Sequence, residues 1–177
     1  QFRGRRLIAP GGLATRPTAD RVKESIFNIL GAGVRHQRVL DLFAGSGALG
    51  IEAVSRGAAS ALFLDQGKPA LAAIQGNIRS LGLQGQTRLI RWDILRNLNC
   101  LIPFPQGFDL IFMDPPYGID AAPATLRHLA ASGALAPDAH LVIEHRAGQG
   151  IDPAAPYVAV DQRRFGKTLV TFMDAML

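Results

Sequence analysis

From Val39 onward the chain alternates short apolar runs with stretches whose apolar residues recur every three or four positions. Val39 to Phe43, Ser60 to Leu64, Thr87 to Arg91, Phe108 to Met113 and Leu141 to Glu144 are the runs. Runs of this length predict strands buried on both faces. Between them, Ala48, Ile51, Ala53 and Val54 predict one helix, and Leu71, Ile74, Ile78 and Leu81 a second. Pro69 suits the first turn of that second helix, where its missing N–H costs nothing. Residues 94–107 predict a short helix and a Pro-containing loop, and residues 121–132 another helix. Tyr157 to Val160 and Thr168 to Met173 predict a closing pair of strands. Strand and helix in alternation give a doubly wound, mostly parallel α/β sheet. Ahead of it, Leu7-Ile8-Ala9 and Leu13-Ala14 flank Pro10-Gly11-Gly12, which predicts a hairpin over residues 2–15. A helix follows, with Thr18 as N-cap, Asp20 in the first turn and Val22, Ile26, Ile29 and Leu30 on one face.

The strand ends carry the candidate chemistry. In an open α/β sheet ligands bind at the C-terminal ends of the strands. Asp41 ends the first strand, and Phe43-Ala44-Gly45-Ser46-Gly47-Ala48-Leu49-Gly50 follows with G-x-G-x-x-G spacing. That spacing alone also describes a dinucleotide site. Asp41, however, would repel a pyrophosphate and attract an ammonium. Asp65 ends the second strand and suits two ribose hydroxyls; Asp93 ends the third and suits an adenine amino group. Acids at three successive strand ends fit a cationic, phosphate-free nucleoside, which S-adenosylmethionine is. The expected cofactor-binding residues are Asp41, Phe43, Ala44, Gly45, Ser46, Gly47, Asp65, Gln66, Asp93, Ile94 and Asp114. At the fourth strand end, Asp114-Pro115-Pro116-Tyr117 forms a stiff turn holding one carboxylate and one ring. Asp114 and the Pro115 carbonyl can accept hydrogen bonds from a base's exocyclic amino group. This favours the pyramidal, positively charged nitrogen of a methyl-transfer transition state. Tyr117 can stack on the extruded base.

Composition narrows the partner. With 48% hydrophobic and 19% charged residues over 177 positions, the chain is expected to fold as one domain. It has no run of the ~18 to 20 apolar residues that would span a bilayer. A single cysteine, Cys100, and four histidines without ligand spacing predict no metal site and a reducing, cytoplasmic setting. Of the 19 Lys and Arg residues, eight (Arg3, Arg5, Arg6, Arg16, Arg21, Lys23, Arg35 and Arg38) fall in the first forty, against Asp20 and Glu24. A basic end on a near-neutral body fits a polyanion. Residues 1–35 are therefore expected to be a basic RNA-binding extension using Arg3, Arg5, Arg6, Arg16, Thr18 and Arg21.

Taken together, Asp41 to Gly50, the acid at Asp65 and Asp114 to Tyr117 resemble the class I amino-methyltransferases. Gly4-Arg5-Arg6-Leu7, Arg16 to Glu24, Phe27-Asn28-Ile29-Leu30, Phe165-Gly166 and Thr168 resemble more narrowly the RsmD family of bacterial 16S rRNA guanine-N2 methyltransferases. The resemblance implies a Rossmann-like seven-stranded sheet and S-adenosylmethionine as methyl donor. It also implies a guanine amino group of 16S rRNA as target, within the 30S subunit or an assembly intermediate, and a monomeric enzyme without metal or membrane. The sequence departs from the family where Gln66 and Gly67 follow Asp65, since the family commonly shows a second acid two residues on. Other amino-methyltransferases, such as DNA adenine enzymes, remain open, as does a silent RNA-binding module. DNA enzymes normally add a target-reading domain, for which this chain has no room.

Overall fold

The computed structural model describes residues 7–12, 17–116, 121–148, 151 and 156–176. Its strands are β1 (Arg38–Leu42), β2 (Ser60–Asp65), β3 (Thr87–Arg91), β4 (Phe108–Met113), β5 (Leu135–Arg146), β6 (Tyr157–Phe165) and β7 (Thr168–Ala175). Its helices are α1 (Pro17–Leu30), α2 (Ala48–Ser55), α3 (Lys68–Leu81) and α4 (Ala121–Ala131). The strands form one seven-stranded sheet in the order β3-β2-β1-β4-β5-β7-β6. The first five are parallel, and β7 is antiparallel to both β5 and β6. The expected doubly wound α/β fold is therefore present, and no described helix is long and apolar enough to cross a membrane.

Alternation along the strands divides the core in two. Val39, Phe63, Leu110, Phe112, Val142 and Val170 pack on the face covered by α1, α2 and α3. Leu40, Leu42, Leu64, Ile111, Met113 and Ile143 pack on the other, against α4 and the loop through Leu98 and Leu101. Tyr157 closes the second face by donating its hydroxyl to the Leu126 carbonyl at 2.9 Å. The register Asp41↔Phe112 and Phe112↔Val142 places Asp41 on the α1 face. Two residues past Phe112 and Val142, Asp114 and Glu144 share that face. One rule of strand geometry, side chains alternating with a period of two, thus gathers three acids from three adjacent strands.

Several expectations need correction. Leu7 to Ala9 form no strand, and Pro10–Gly12 is a 3-10 turn, so the described part of the expected hairpin is absent. What anchors this segment is Asn77 of α3, which is 1% exposed. Its Oδ1 accepts the Ile8 N–H at 2.7 Å, and its Nδ2 donates to the Ile8 and Ser46 carbonyls, both at 2.9 Å. One buried amide therefore ties the N-terminal segment to the glycine loop. Helix α1 already includes Pro17, so Thr18 lies within the first turn instead of capping it. Ile29 is 42% exposed, and the buried stripe runs through Val22, Ile26 and Phe27. Between residues 94 and 107 only the 3-10 turn Asn99–Leu101 forms, because Pro103 and Pro105 deny a longer helix its donors. Strand β5 is far longer than expected, starting at Leu135.

Arg38 also leaves the basic N-terminal group. Its guanidinium pairs with Asp109, with Nη2 to Oδ1 at 2.6 Å and Nε to Oδ2 at 2.8 Å. The arginine holds the Asp109 carboxyl below its usual range. This pair closes the N-terminal edge of the sheet, away from the strand ends that carry the candidate site.

The turn from β1 into α2 is the tightest point of the fold. Gly47 adopts φ 76°, a left-handed conformation that L side chains rarely take. A Cβ on Gly50 would meet Phe63 Cζ at 2.9 Å and Asp41 Oδ2 at 3.1 Å, and would lie closer still to Phe63 Cε1. Phe63 is fully buried and has no room to retreat. Gly50→Ala is expected to cost about 1–3 kcal/mol through this overpacking and to lower the thermal melting midpoint by several degrees. A wild-type midpoint would show that helix α2 is free to shift.

Candidate functional site

Two cavities meet at the C-terminal ends of β1 and β4. The larger, about 320 Å³, is lined by Asp65, Gln66, Trp92, Asp93, Ile94, Leu95 and Pro116. The smaller, about 180 Å³, is lined by Asp41, Ala44, Ser46, Ala48, Leu49 and Glu144, with Ala19, Asp20 and Lys23 of α1 as its roof. Phe43, Gly45 and Asp114 line both. Asp114 thus stands where a ligand in one chamber would meet a ligand in the other. A cavity of about 600 Å³ lies at the opposite edge of the sheet, among Arg38, Gln86, Phe104 and Gly107, and contains no expected site residue.

The glycine loop is held by acids. Asp41 Oδ2 accepts the Gly50 N–H at 2.9 Å, reaching from β1 to the first turn of α2. Asp65 accepts the Gly45 N–H through Oδ2 at 3.0 Å and the Gly67 N–H through Oδ1 at 2.8 Å. A carboxylate has about four lone-pair sites, so Asp65 braces the loop and still presents acceptors to the larger cavity. Asp93 Oδ1 accepts the Leu95 N–H at 3.2 Å, a local turn that holds its carboxylate at the exposed rim. Trp92 forms wall, its Nε1 donating to the Asn97 carbonyl at 2.8 Å. Phe43 adopts φ 58°, a left-handed conformation uncommon outside glycine, at the corner between the chambers.

Charge in the smaller cavity is unbalanced. Asp41 is 2% exposed, and burial raises its carboxyl from an ordinary 3.8 to about 8. The Gly50 N–H opposes that rise, while the charges of Asp114 and Asp65 add to it. Asp114 stands at an exposed position lining both cavities, and desolvation by the surrounding protein raises its carboxyl above the ordinary range. Glu144 is raised by burial first and then by the charges of Asp114 and Asp41. Among the described residues Lys23 is the one cation lining this cavity, and it is paired with Asp20 at 3.4 Å. A pocket of carboxylates short of cations is built to receive positive charge.

Most of the expected cofactor residues converge here. Asp41, Phe43, Ala44, Gly45, Ser46, Asp65, Gln66, Asp93, Ile94 and Asp114 all line one chamber or both. Gly47 lines neither; it is the turn residue that starts α2. Of the expected catalytic turn, Pro116 lines the larger cavity, Pro115 lines neither, and Tyr117 lies outside the described residues. Arg21 is exposed on α1, while Arg3, Arg5, Arg6, Arg16 and the Thr18 side chain lie outside the described set. His128, His140 and His145 are each hydrogen-bonded to groups outside the acidic cavity, as with His145 and Thr171 at 2.8 Å. Glu144, Lys23 and Asn77 carry structural or electrostatic weight that the sequence reading gave to none of them. Glu144 is legible in the sequence as the acid that closes the apolar run Leu141 to Glu144, although β5 itself continues to Arg146.

Residues 1–174 match a family model described as Conserved hypothetical protein 95. The chain belongs to that family, the RsmD-type methyltransferases. YlbH of Bacillus subtilis is 42% identical over 143 residues, covering 81% of this chain and 78% of its own. Ribosomal RNA small subunit methyltransferase D of Escherichia coli K12 is 33% identical over 156 residues, covering 88% and 76%. Among solved structures, YhhF of Escherichia coli has a TM-score of 0.85 at 28% identity, covering 100% of this chain and 95% of its own. A Streptococcus pyogenes protein has a TM-score of 0.76 at 34% identity, covering 86% and 94%. The family expected from the motifs is the family found.

The raised carboxyls make the ligand-free protein sensitive to pH. An acid whose folded pKa lies above its unfolded value favours folding below the unfolded value and loses that contribution as pH rises through the folded one. For Asp41 that window runs from 3.8 to about 8. Asp41→Asn, which keeps an acceptor for Gly50, is expected to raise the ligand-free melting midpoint at pH 8 by about 3 °C or more and to have little effect at pH 5. Thermal unfolding across that range checks this, and a lower midpoint at pH 8 would contradict it.

Proposed function

We propose that this protein transfers a methyl group from S-adenosylmethionine to the exocyclic N2 amino group of a guanine in 16S rRNA of the small ribosomal subunit. The observation that carries the reading is Asp114, placed where the two cavities meet, at the end of β4 and ahead of Pro115-Pro116. Relatives support the substrate: the Escherichia coli and Haemophilus influenzae proteins named Ribosomal RNA small subunit methyltransferase D are 33% and 35% identical to this chain.

S-adenosylmethionine supplies an electrophilic methyl group on a sulfonium. The chain's residues fit it by charge and by hydrogen bonding. Asp41, deprived of a cation, suits the ammonium and sulfonium end. Asp65, with Gln66, suits the ribose hydroxyls, and Asp93, Ile94 and Trp92 suit the adenine. The Asp41 carboxylate beside the glycine loop weighs against a pyrophosphate and so against a nicotinamide dinucleotide. On the substrate side, Asp114 and the Pro115 carbonyl accept the two N–H groups of the target amine. They stabilise the charge that develops as the nitrogen becomes pyramidal, and holding it in line does the rest. Tyr117 stacks on the base. Residues 1–35, with Arg3, Arg5, Arg6, Arg16, Thr18 and Arg21, form the RNA-binding extension. Its attachment through Ile8 to Asn77 brings RNA contacts to the same loop that faces the cofactor. We place the reaction on the 30S subunit or an assembly intermediate, in the cytoplasm, carried out by a monomer.

The test offers labelled S-adenosylmethionine with 30S particles, naked 16S rRNA and DNA from cells lacking this enzyme. Label is expected in the rRNA, with the particle or its precursor preferred, and not in DNA. Asp114→Ala is expected to lower the single-turnover rate by about 10²–10³ while cofactor binding persists. Label in DNA alone would replace the substrate, and a near-wild-type rate for Asp114→Ala would remove that residue from the chemistry.

A further inference from the structure

Cofactor capture and base recognition leave one half-buried acid unused. Glu144 lies near the C-terminal end of β5 on the α1 face, two residues beyond Val142, whose β4 partner Phe112 stands two residues before Asp114. Both carboxyls line the smaller cavity, which also meets the cofactor chamber at Asp114. We propose that Glu144 is the proton sink of the transfer step: the proton shed by the newly methylated nitrogen passes to the Asp114 carboxylate and is held on Glu144. This rests on the methyl-transfer reading above.

The balance of the step calls for such a group. The nitrogen lone pair forms the N–CH3 bond, and the S–CH3 electron pair stays on sulfur. The nitrogen is then cationic and must lose a proton, whose bonding pair returns to it. Before transfer, a sulfonium sits against a carboxylate; afterwards a thioether, a methylamine and a carboxylic acid are all neutral. The carboxylate that balanced the sulfonium is thus the natural base. Asp114 is nearest the nitrogen and already accepts its N–H. Glu144 lines the same cavity among acids, so the proton is most stable there.

The charged groups facing Glu144 bear this out. Asp41 comes from β1, Asp114 from β4, and Asp20 and Lys23 from α1. On β7 its register partner is the apolar Val170. Arg146 is on the same face of β5 but is exposed. His145 points to the other face, where it bonds Thr171. Three acids against one lysine leave Glu144 with more neighbours that favour its proton than oppose it, and burial raises it further. Two carboxyls sharing a site in this way titrate as a pair.

The experiment compares wild type, Glu144→Gln and Glu144→Asp, all with S-adenosylmethionine and the rRNA substrate saturating. Glu144→Gln is expected to slow single-turnover transfer by about 10²-fold, the lower range for loss of a proton acceptor. The ascending limb of its pH–rate profile should move to lower pH, since Asp114 has one like-charged neighbour fewer. Glu144→Asp should recover part of the rate, and cofactor affinity should stay within about threefold of wild type in both. An independent reading comes from the ligand-free proteins: carbon-13 carboxyl titration should show Asp114 moving to lower pH in Glu144→Gln. Wild-type rate and pH profile in Glu144→Gln would overturn the assignment, as would a loss that came wholly from weaker cofactor binding. If wild type itself methylated no rRNA, the functional reading would fall first, and an unmoved Asp114 titration would separately show that the two carboxyls are not a pair.

Discussion

The hydrogen bond from the Gly50 amide to the buried Asp41 carboxylate is the contact on which the site depends. It joins the end of β1 to the first turn of α2 at 2.9 Å and brings the helix so close that no side chain fits at position 50. A single neutral N–H cannot compensate a carboxylate taken out of water. The fold therefore holds an acid that is uncomfortable until a cation arrives. Asp65 repeats the arrangement more gently from β2, bracing Gly45 while remaining half-exposed. The glycine loop is thus shaped by carboxylates that also line the two cavities.

Sheet register extends this local contact into an acidic cavity. Because β1, β4 and β5 are neighbours and in register, Asp41, Asp114 and Glu144 face one cavity under α1. The cavity concentrates negative charge at the point where a sulfonium would lie and where the target nitrogen would become positive. Electrostatic stabilisation of this kind acts through groups already in place. The roof contributes Lys23, which tempers the acids without cancelling them. Asn77 connects the N-terminal segment to the same loop through three hydrogen bonds, so the segment at Ile8 and the glycine loop are tied together.

Much of this could be read in the sequence, and the reasons are physical. Strands buried on both faces give unbroken apolar runs, and an acid at or near the end of such a run stands out, as Asp41, Asp65, Asp93 and Asp114 do. Glu144 is less visible because the first half of β5 holds Pro137, Asp138 and His140, which blur its pattern, so only Leu141 to Glu144 reads as strand. Residues 94–107 carry enough apolar positions for a helix, yet two prolines and the Trp92 to Asn97 contact settle them as loop. Arg38 counts as one more basic residue until the register brings it against Asp109. Asn77, inside a helix of ordinary polarity, gives no sign of its partners 69 and 31 residues away. What chain order cannot encode is which polar groups the topology makes neighbours.

The most direct test of the acidic pocket is calorimetry of cofactor binding in two buffers of different ionisation enthalpy at pH 7. Acids held partly protonated by burial must ionise to receive a cation, and ligand binding that shifts a pKa exchanges protons with solvent. The pocket predicts release of about one proton on binding S-adenosylmethionine, and less on binding S-adenosylhomocysteine, which lacks the sulfonium charge. Equal affinity for the two ligands with no proton release would contradict it.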